Sequence, residues 1–386
     1  MSVELKELLP DELLERFRDR ARGYDERNEF FHEDLAELKS AGYLAMFAST
    51  DDGGLGFGLE KVAAAQRRLA TAAPATALAI NMHLVWTGVA HLLAVRGDDS
   101  LHYVLTEAVA GEVFAFGNSE AGNDQVLFDS NTVAVPLGDG GYSFTGTKIF
   151  TSLSPAWTRL GIFGKDSTAE EPVLVHGFIT RETPGYTIKD DWNTLGMRAS
   201  QSNTTVLDGA VAPAERVFRK LPVGPNADPL IFAIFACFET LLAAVYTGLG
   251  ERALQIGVAT VHKRTSKKNG GKSYAQDPDI RWRIADAAMA MEGLYPQLES
   301  VARDVDQLVD HGGMWFPKLV GLKVRATETA RTVVDLIIRV SGGGSYFAGN
   351  ELGRLYRDVL AGMFHPSDDE SAHSTIANAW LGPIEP

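Results

Sequence analysis

Side chains able to do chemistry gather at a few places in this chain. The densest is Leu195-Gly196-Met197-Arg198-Ala199-Ser200-Gln201-Ser202, just after Asp191-Trp192. Arg198 beside two hydroxyls and an amide supplies many hydrogen-bond donors. Gly196 lets the main chain take positive φ or come close to another group. Such a set suits a planar, anionic ligand; a polar hairpin shoulder is the plainer use of the same residues. A second place is the basic run Lys263-Arg264-Thr265-Ser266-Lys267-Lys268, with Lys272 close behind. In a chain of net charge −14, a phosphate-bearing ligand needs a local patch of this kind. A solvated loop is the alternative. Glu239 stands alone in the apolar run Ile231–Val245, where an unpaired carboxylate is costly to bury. His365, before Pro366, can donate or accept a proton near neutral pH.

Elements must position these residues, and 386 residues can bury a large core in two or three domains. Apolar residues make up 45 % and charged residues 22 %, as in an ordinary globular enzyme. The acidic balance argues against nucleic acid or an anionic membrane as the general partner. No run of about 18 uninterrupted apolar residues predicts a membrane span. Met1–Asp19 is charged and lacks the apolar core of a signal peptide. A single cysteine, Cys237, excludes an internal disulfide and, in its apolar run, reads as a buried thiol. A cytoplasmic location fits.

Three segments differ in period. Residues 1–112 read as an N-terminal helical domain, with Leu13, Leu14, Phe17 and Ala21 at helical spacing and Ala-rich stretches at 59–73 and 76–95. Residues 113–228 form a β domain: short Val-, Ile-, Thr- and Phe-rich runs broken by turn clusters such as Gly138-Asp139-Gly140-Gly141, which 132–135 and 142–144 flank as a hairpin would. Residues 229–386 return to helical spacing. Gly248, Gly250 and Gly257 there allow a neighbouring helix close approach, and Pro296 predicts a kink or break. The fold class is α+β: an N-terminal helical bundle, a middle antiparallel β-barrel-like domain and a C-terminal four-helix bundle.

That order, with five strings along the chain, resembles the acyl-CoA dehydrogenase superfamily. The strings are Ala41–Ala45 followed by Gly53-Gly54-Leu55-Gly56; Glu120-Ala121-Gly122-Asn123-Asp124; Thr145–Ser152; Trp192–Ser202; and Gly342-Gly343 with Leu355-Tyr356-Arg357-Asp358. One departure is Gly117-Asn118-Ser119 in place of a Thr-Glu-Pro lead-in. The resemblance implies a flavin, FAD or, in a monooxygenase, FMN, at a subunit interface of a homotetramer. By matched position Phe116, Gly117 and Asn123 would contact the ring, Phe150 would cover a face and Ser152 would offer its hydroxyl. Arg264, with Lys267 second, would grip the pyrophosphate; Arg339 and Gly342-Gly343 would reach the neighbouring subunit's cofactor.

The resemblance also implies a small-molecule substrate. Acyl-CoA is first, desaturated by proton abstraction at Cα and hydride transfer to flavin, with an electron-transfer flavoprotein or a flavin reductase as redox partner. Desaturation needs a carboxylate base. The family's usual Glu position falls on Pro366, and the position some members use on an earlier helix falls on Phe238, with Glu239 beside it. Glu239 is therefore the expected base. A second branch of the superfamily, flavin-dependent monooxygenases using reduced flavin and O2, has a His near this place, as His365 is here. A catalytically inactive structural relative is a third reading, which spectral detection of bound flavin would separate from the others.

Overall fold

A computed structural model describes residues 4–168 and 170–384. The chain opens with α1 (Leu5–Leu8), α2 (Asp11–Arg27), α3 (His32–Ser40), α4 (Leu59–Ala70), α5 (Pro74–Ala94) and α6 (His102–Val109). α2 buries Leu13, Leu14, Phe17 and Ala21, the stripe its spacing predicts. α5 starts on Pro74, whose fixed φ suits a first helical turn, and is buried on nearly every side.

The strands follow: β1 (Phe114–Gly117), β2 (Val133–Pro136), β3 (Tyr142–Lys148), β4 (Arg159–Asp166), β5 (Val173–Thr180), β6 (Tyr186–Ile188), β7 (Thr205–Ala212) and β8 (Val217–Pro222). They make one sheet in the order β6-β7-β3-β2-β4-β5-β8, with β1 also paired to β4. The expected hairpin is β2–β3, in register from Val133↔Thr145 to Pro136↔Tyr142. The sheet is mostly antiparallel, but β1 and β2 each pair with β4 in parallel. Trp86 of α5 fastens helix to sheet: its Nε1 donates to the Ala115 carbonyl of β1 at 3.0 Å.

The last part holds α7 (Pro229–Lys263), α8 (Pro278–Asp306), α9 (Trp315–Ser341), α10 (Glu351–Val359) and α11 (Asp369–Leu381). Asp228 caps α7 by accepting from Leu230 N at 2.8 Å. Gly248 works as its spacing suggests, since a Cβ there would lie 2.2 Å from the Arg67 carbonyl oxygen on α4. α5 and α7 are long and apolar enough to cross a bilayer, yet 89 % and 83 % of their most apolar windows are buried inside the protein. Cys237 is buried, as expected.

Of the kink or break expected at Pro296, the break does not occur: α8 runs through it from Pro278 to Asp306. An interior proline costs ~3 kcal/mol. Leu294, Leu298, Val301 and Val305 are buried on either side. Each such side chain returns ~1.5–3 kcal/mol on burial, so packing outweighs the lost hydrogen bond.

Candidate functional site

A cavity of about 280 Å³ opens where the sheet meets α5, α7 and the chain after α10. Its walls are mostly apolar and aromatic: Phe116 at the end of β1, Phe150 after β3, Trp192 in the loop after β6, and Phe238 on α7. Phe150 and Trp192 meet edge to face, ring centroids 6.1 Å apart. The backbone here is strained. Phe150, Leu153, Met197 and Gln201 all have positive φ (55°, 67°, 52° and 44°) without being glycine. Such residues persist only where the surroundings hold them, and they cluster at functional sites.

The 191–203 loop is braced from several sides. Asn203 Oδ1 accepts from the amides of Asp191 (3.1 Å) and Trp192 (3.0 Å), and Asp358 Oδ1 accepts from Met197 N at 2.6 Å. Gly196 is needed for close approach: a Cβ would sit 2.2 Å from the Arg357 carbonyl oxygen on α10. Arg198 corrects the sequence expectation. Its guanidinium donates to Asp25 O, Asn193 Oδ1 and Thr194 O at 2.8, 3.1 and 2.9 Å, and it does not line the cavity. It braces the loop because three carbonyl-type acceptors surround it. Arg357 does line the cavity, but is tied to the Asp25 carboxylate and to Leu195 O.

The serines of this loop are hydrogen-bonded to one another and to Ser152. Ser200 Oγ and Ser202 Oγ are 2.8 Å apart, and Ser202 Oγ and Ser152 Oγ 2.7 Å. Three hydroxyls linked by two hydrogen bonds leave one O–H unused. Ser200 is fully buried with no other side-chain partner, so its proton must go to Ser202. Ser202 then donates to Ser152, and Ser152, which lines the cavity, keeps the free donor. A flat apolar slot with a hydroxyl donor at its edge fits an isoalloxazine ring, which pairs apolar faces with acceptor atoms at its rim.

The segment 362–367 forms the opposite wall. Lys323 of α9 is buried, and its ammonium donates to the carbonyls of Gly362 (3.0 Å), His365 (2.8 Å) and Ser367 (2.7 Å). His365 lines the cavity, and its Nε2 is 2.8 Å from Tyr246 Oη on α7. Burial holds the Tyr246 phenol well above its ordinary value, so it keeps its proton. That proton goes to Nε2, leaving the imidazole N–H on Nδ1. Burial, helped by repulsion from Lys323, pushes His365 down to about 3, so the ring is neutral at physiological pH.

Phe238, not Glu239, takes the place on the cavity wall. Glu239 is buried behind it, with Oε1 accepting from Ser367 N (3.2 Å) and Oγ (3.0 Å). Burial raises its pKa, with Lys323 pulling the other way and leaving it at about 7.

The remaining predicted residues divide. Phe116, Phe150 and Ser152 share the cavity, whereas Gly117 and Asn123 do not line it. Asn123 Nδ2 instead donates to Glu120 Oε2 (3.0 Å) and Asp129 O (2.8 Å). Arg264 donates to Ser341 O and stacks over Tyr274, 4.8 Å from guanidinium to ring centroid, beside Gly342. Lys267 is exposed, and Arg339 is paired with Asp335 at 2.8 Å. Arg264, Lys267, Arg339, Gly342 and Gly343 are thus outside the cavity lining within one chain.

Sequence reasoning missed Tyr246, Lys323 and the Glu120–Lys148 pair. Tyr246 lies two helical turns after Glu239, a spacing that puts both on one face and could have found it. Lys148 is fully buried with its Nζ 2.6 Å from Glu120 Oε1. Burial pushes Glu120 up, but Lys148, Thr132 and the Asn131 amide prevail and leave it at about 2. This pair fastens the 118–132 loop to β3.

Comparison with known proteins adds to this geometry. Residues 4–112 match the family model for the acyl-CoA dehydrogenase N-terminal domain, and residues 240–369 one for its C-terminal domain. The chain is 28 % identical over 360 residues to L-evernosamine nitrososynthase of Micromonospora sp., spanning 91 % of this chain and 84 % of that protein. It is 26 % identical over 373 residues to the putative acyl-CoA dehydrogenase YdbM of Bacillus subtilis, 95 % and 94 % of the two chains. The structure of KijD3 bound to FMN and dTDP-3-amino-2,3,6-trideoxy-4-keto-3-methyl-D-glucose superposes with a TM-score of 0.87 at 26 % identity, covering 100 % of this chain and 96 % of that one.

Proposed function

This chain belongs to the acyl-CoA dehydrogenase family, and we propose that it works in the oxygen-using branch of that family, as a two-component flavin-dependent monooxygenase. The observation that carries this reading is the identity of the acid–base groups at the cavity. Among the described lining residues there is no carboxylate, and the imidazole there, His365, is held neutral with one N–H to offer as a hydrogen-bond donor. Removing a proton from Cα of a thioester calls for a carboxylate within hydrogen-bond reach. Pro366 and Phe238, which the resemblance matches to the family's two base positions, both line the cavity. Similarity to a nitrososynthase and to an FMN-bound relative points the same way.

The protein is a flavoenzyme. Reduced flavin, when bound, supplies the two electrons that activate dioxygen. The chain's own residues set the conditions. Phe116, Phe150, Trp192 and Phe238 exclude water from the ring's surroundings, which strengthens every polar contact made there. Ser152 holds its hydroxyl proton toward the cavity, backed by Ser202 and Ser200. Tyr246 fixes the His365 ring and its tautomer, so the neutral imidazole offers one N–H. The substrate is a small molecule oxidised at nitrogen, sulfur or an aromatic carbon, and a separate flavin reductase supplies the electrons. Arg264, Gly342 and Gly343 do not line the cavity within one chain, and on the family resemblance they would meet a neighbouring subunit's cofactor in a homo-oligomer.

The test is to reduce the flavin-loaded protein without oxygen and then mix it with heavy-isotope O2 and a panel of amino sugars and aromatic heterocycles. Label in one product, with no anaerobic bleaching of oxidised flavin by acyl thioesters, is the expected result. Bleaching by a thioester would instead establish desaturation.

A further inference from the structure

Behind the main cavity lies a second, smaller chamber of about 30 Å³. Phe116, Ser119, Phe238 and Pro366 line both spaces and so form the wall between them. The Phe116 and Phe238 rings are 5.9 Å apart in that wall. Ser119 is the one polar side chain that lines both. Three buried polar atoms around the chamber have no protein partner: Glu239 Oε2, Asn118 Oδ1 and Asn118 Nδ2. Both residues line it, and both are almost fully buried, at 1 % and 2 % exposure.

Orphaned buried groups are rare and costly, and ordered water satisfies them where the space beside them admits it; here Asn118, Ser119 and Glu239 are the polar residues in an otherwise apolar lining. One water needs ~10–15 Å³ open to its centre, so this chamber has room for about two. Asn118, Ser119, Glu239 and Pro366, far apart in the chain, converge on this chamber.

We propose that this chamber is a water-filled proton store: ordered water joins the Glu239 carboxyl to Asn118 and passes protons to the main cavity by way of the Ser119 hydroxyl. The proposal rests on the oxygenation reading for its purpose. When a flavin carrying a hydride equivalent and O2 oxygenate a substrate, one oxygen atom forms the new bond to substrate and the other leaves as water. That water takes up one proton beyond the hydride equivalent, and Glu239 supplies it. The charged and titratable groups around Glu239 are Lys323 on α9, His365 in the facing loop, and Asp368 and Asp369 at the start of α11, which act through Lys323. With a neutral His365, the Glu239 carboxyl, whose burial favours its protonated form, is the group there that can carry a proton.

Two readouts need no turnover. A high-resolution crystal structure of the protein should show water bonded to both Glu239 and Asn118. Infrared difference spectra between acid and alkaline solution should show a protonated carboxyl band lost in Glu239→Gln and shifted in Asn118→Leu, which fills the chamber. A dry chamber, or a band untouched by both substitutions, overturns the proposal. In turnover, Glu239→Gln should bind flavin as the wild type does but release peroxide about tenfold more per product formed. Unchanged coupling also overturns it. If the wild-type protein makes no oxygenated product, the oxygenation reading fails, while the crystallographic and infrared results still judge the chamber.

Discussion

Lys323 Nζ donates to the main-chain carbonyl of His365 at 2.8 Å, so a buried cation on α9 fixes the residue that brings an imidazole to the cavity. The same ammonium holds Gly362 and Ser367, and its charge faces Glu239. Replacing Lys323 by Met leaves three carbonyls without their donor and Glu239 without its counter-charge. Losing one partner of a buried charged network costs ~3–5 kcal/mol. Urea unfolding should show that loss as a lower midpoint; an unchanged midpoint would mean that the loop is held by other contacts.

Tyr246 and His365 act together. His365→Ala should lower the rate of oxygenation by ~10²-fold, the usual scale for a positioned acid–base group, and leave flavin affinity unchanged. Tyr246→Phe removes only the donor to Nε2 and frees the ring to change tautomer. It should show a smaller loss of the same kind. Equal product yield in both variants and the wild type would remove His365 from the reaction.

Buried histidines set the acid limb of stability. Burial lowers His176 to about 3 and His83 to about 4, from 6.5. A depressed base contributes stability above its unfolded pKa and loses it as pH falls toward the folded one, so stability should drop from about pH 6.5 downward. His176 has no hydrogen-bond partner on either ring nitrogen and stacks on Phe163 at 5.1 Å. His176→Leu should therefore weaken the acid limb and cost nothing near pH 8, as thermal melts across pH would show. Glu239 has the opposite sign: raised to about 7, its contribution is full below pH 4.5 and lost as pH rises through 7.

The serine chain makes a directional prediction. Ser202→Ala leaves the Ser200 hydroxyl without an acceptor, an orphan that costs ~1–3 kcal/mol. Ser200→Ala removes the outer donor with its partner still satisfied by Ser152, and should cost less. Thermal midpoints of the two variants give the order, and a larger loss in Ser200→Ala would reverse the assigned direction.

Gly196→Ala tests the fit of the 191–203 loop against α10. Its Cβ would have to push away the Arg357 carbonyl, and overpacking of this kind costs ~1–3 kcal/mol. Because that loop carries Trp192 and Ser202, flavin affinity should fall along with stability. A fluorescence titration that matches the wild type would show that the loop does not shape the cofactor's wall.

The sequence by itself determined the α+β architecture, because periodicity changes near residues 113 and 229 and the strands and long helices follow those changes. From the family resemblance we expect Phe116, Phe150 and Ser152 beside a flat cofactor, and the structure brings the three to one cavity. What the sequence left open were contacts between distant segments. Arg198 reads as a free donor until Asp25, 173 residues away, is seen to accept from it. Pro296 reads as a break until the burial around it is weighed. Phe238 and Glu239 are neighbours in the chain, and either could have faced the cavity. Only the packing of α7 decided that the Phe238 ring would line the main cavity and the Glu239 carboxylate the chamber behind it. Adjacent residues on a helix point about 100° apart, and that direction has no meaning until the neighbouring elements are in place.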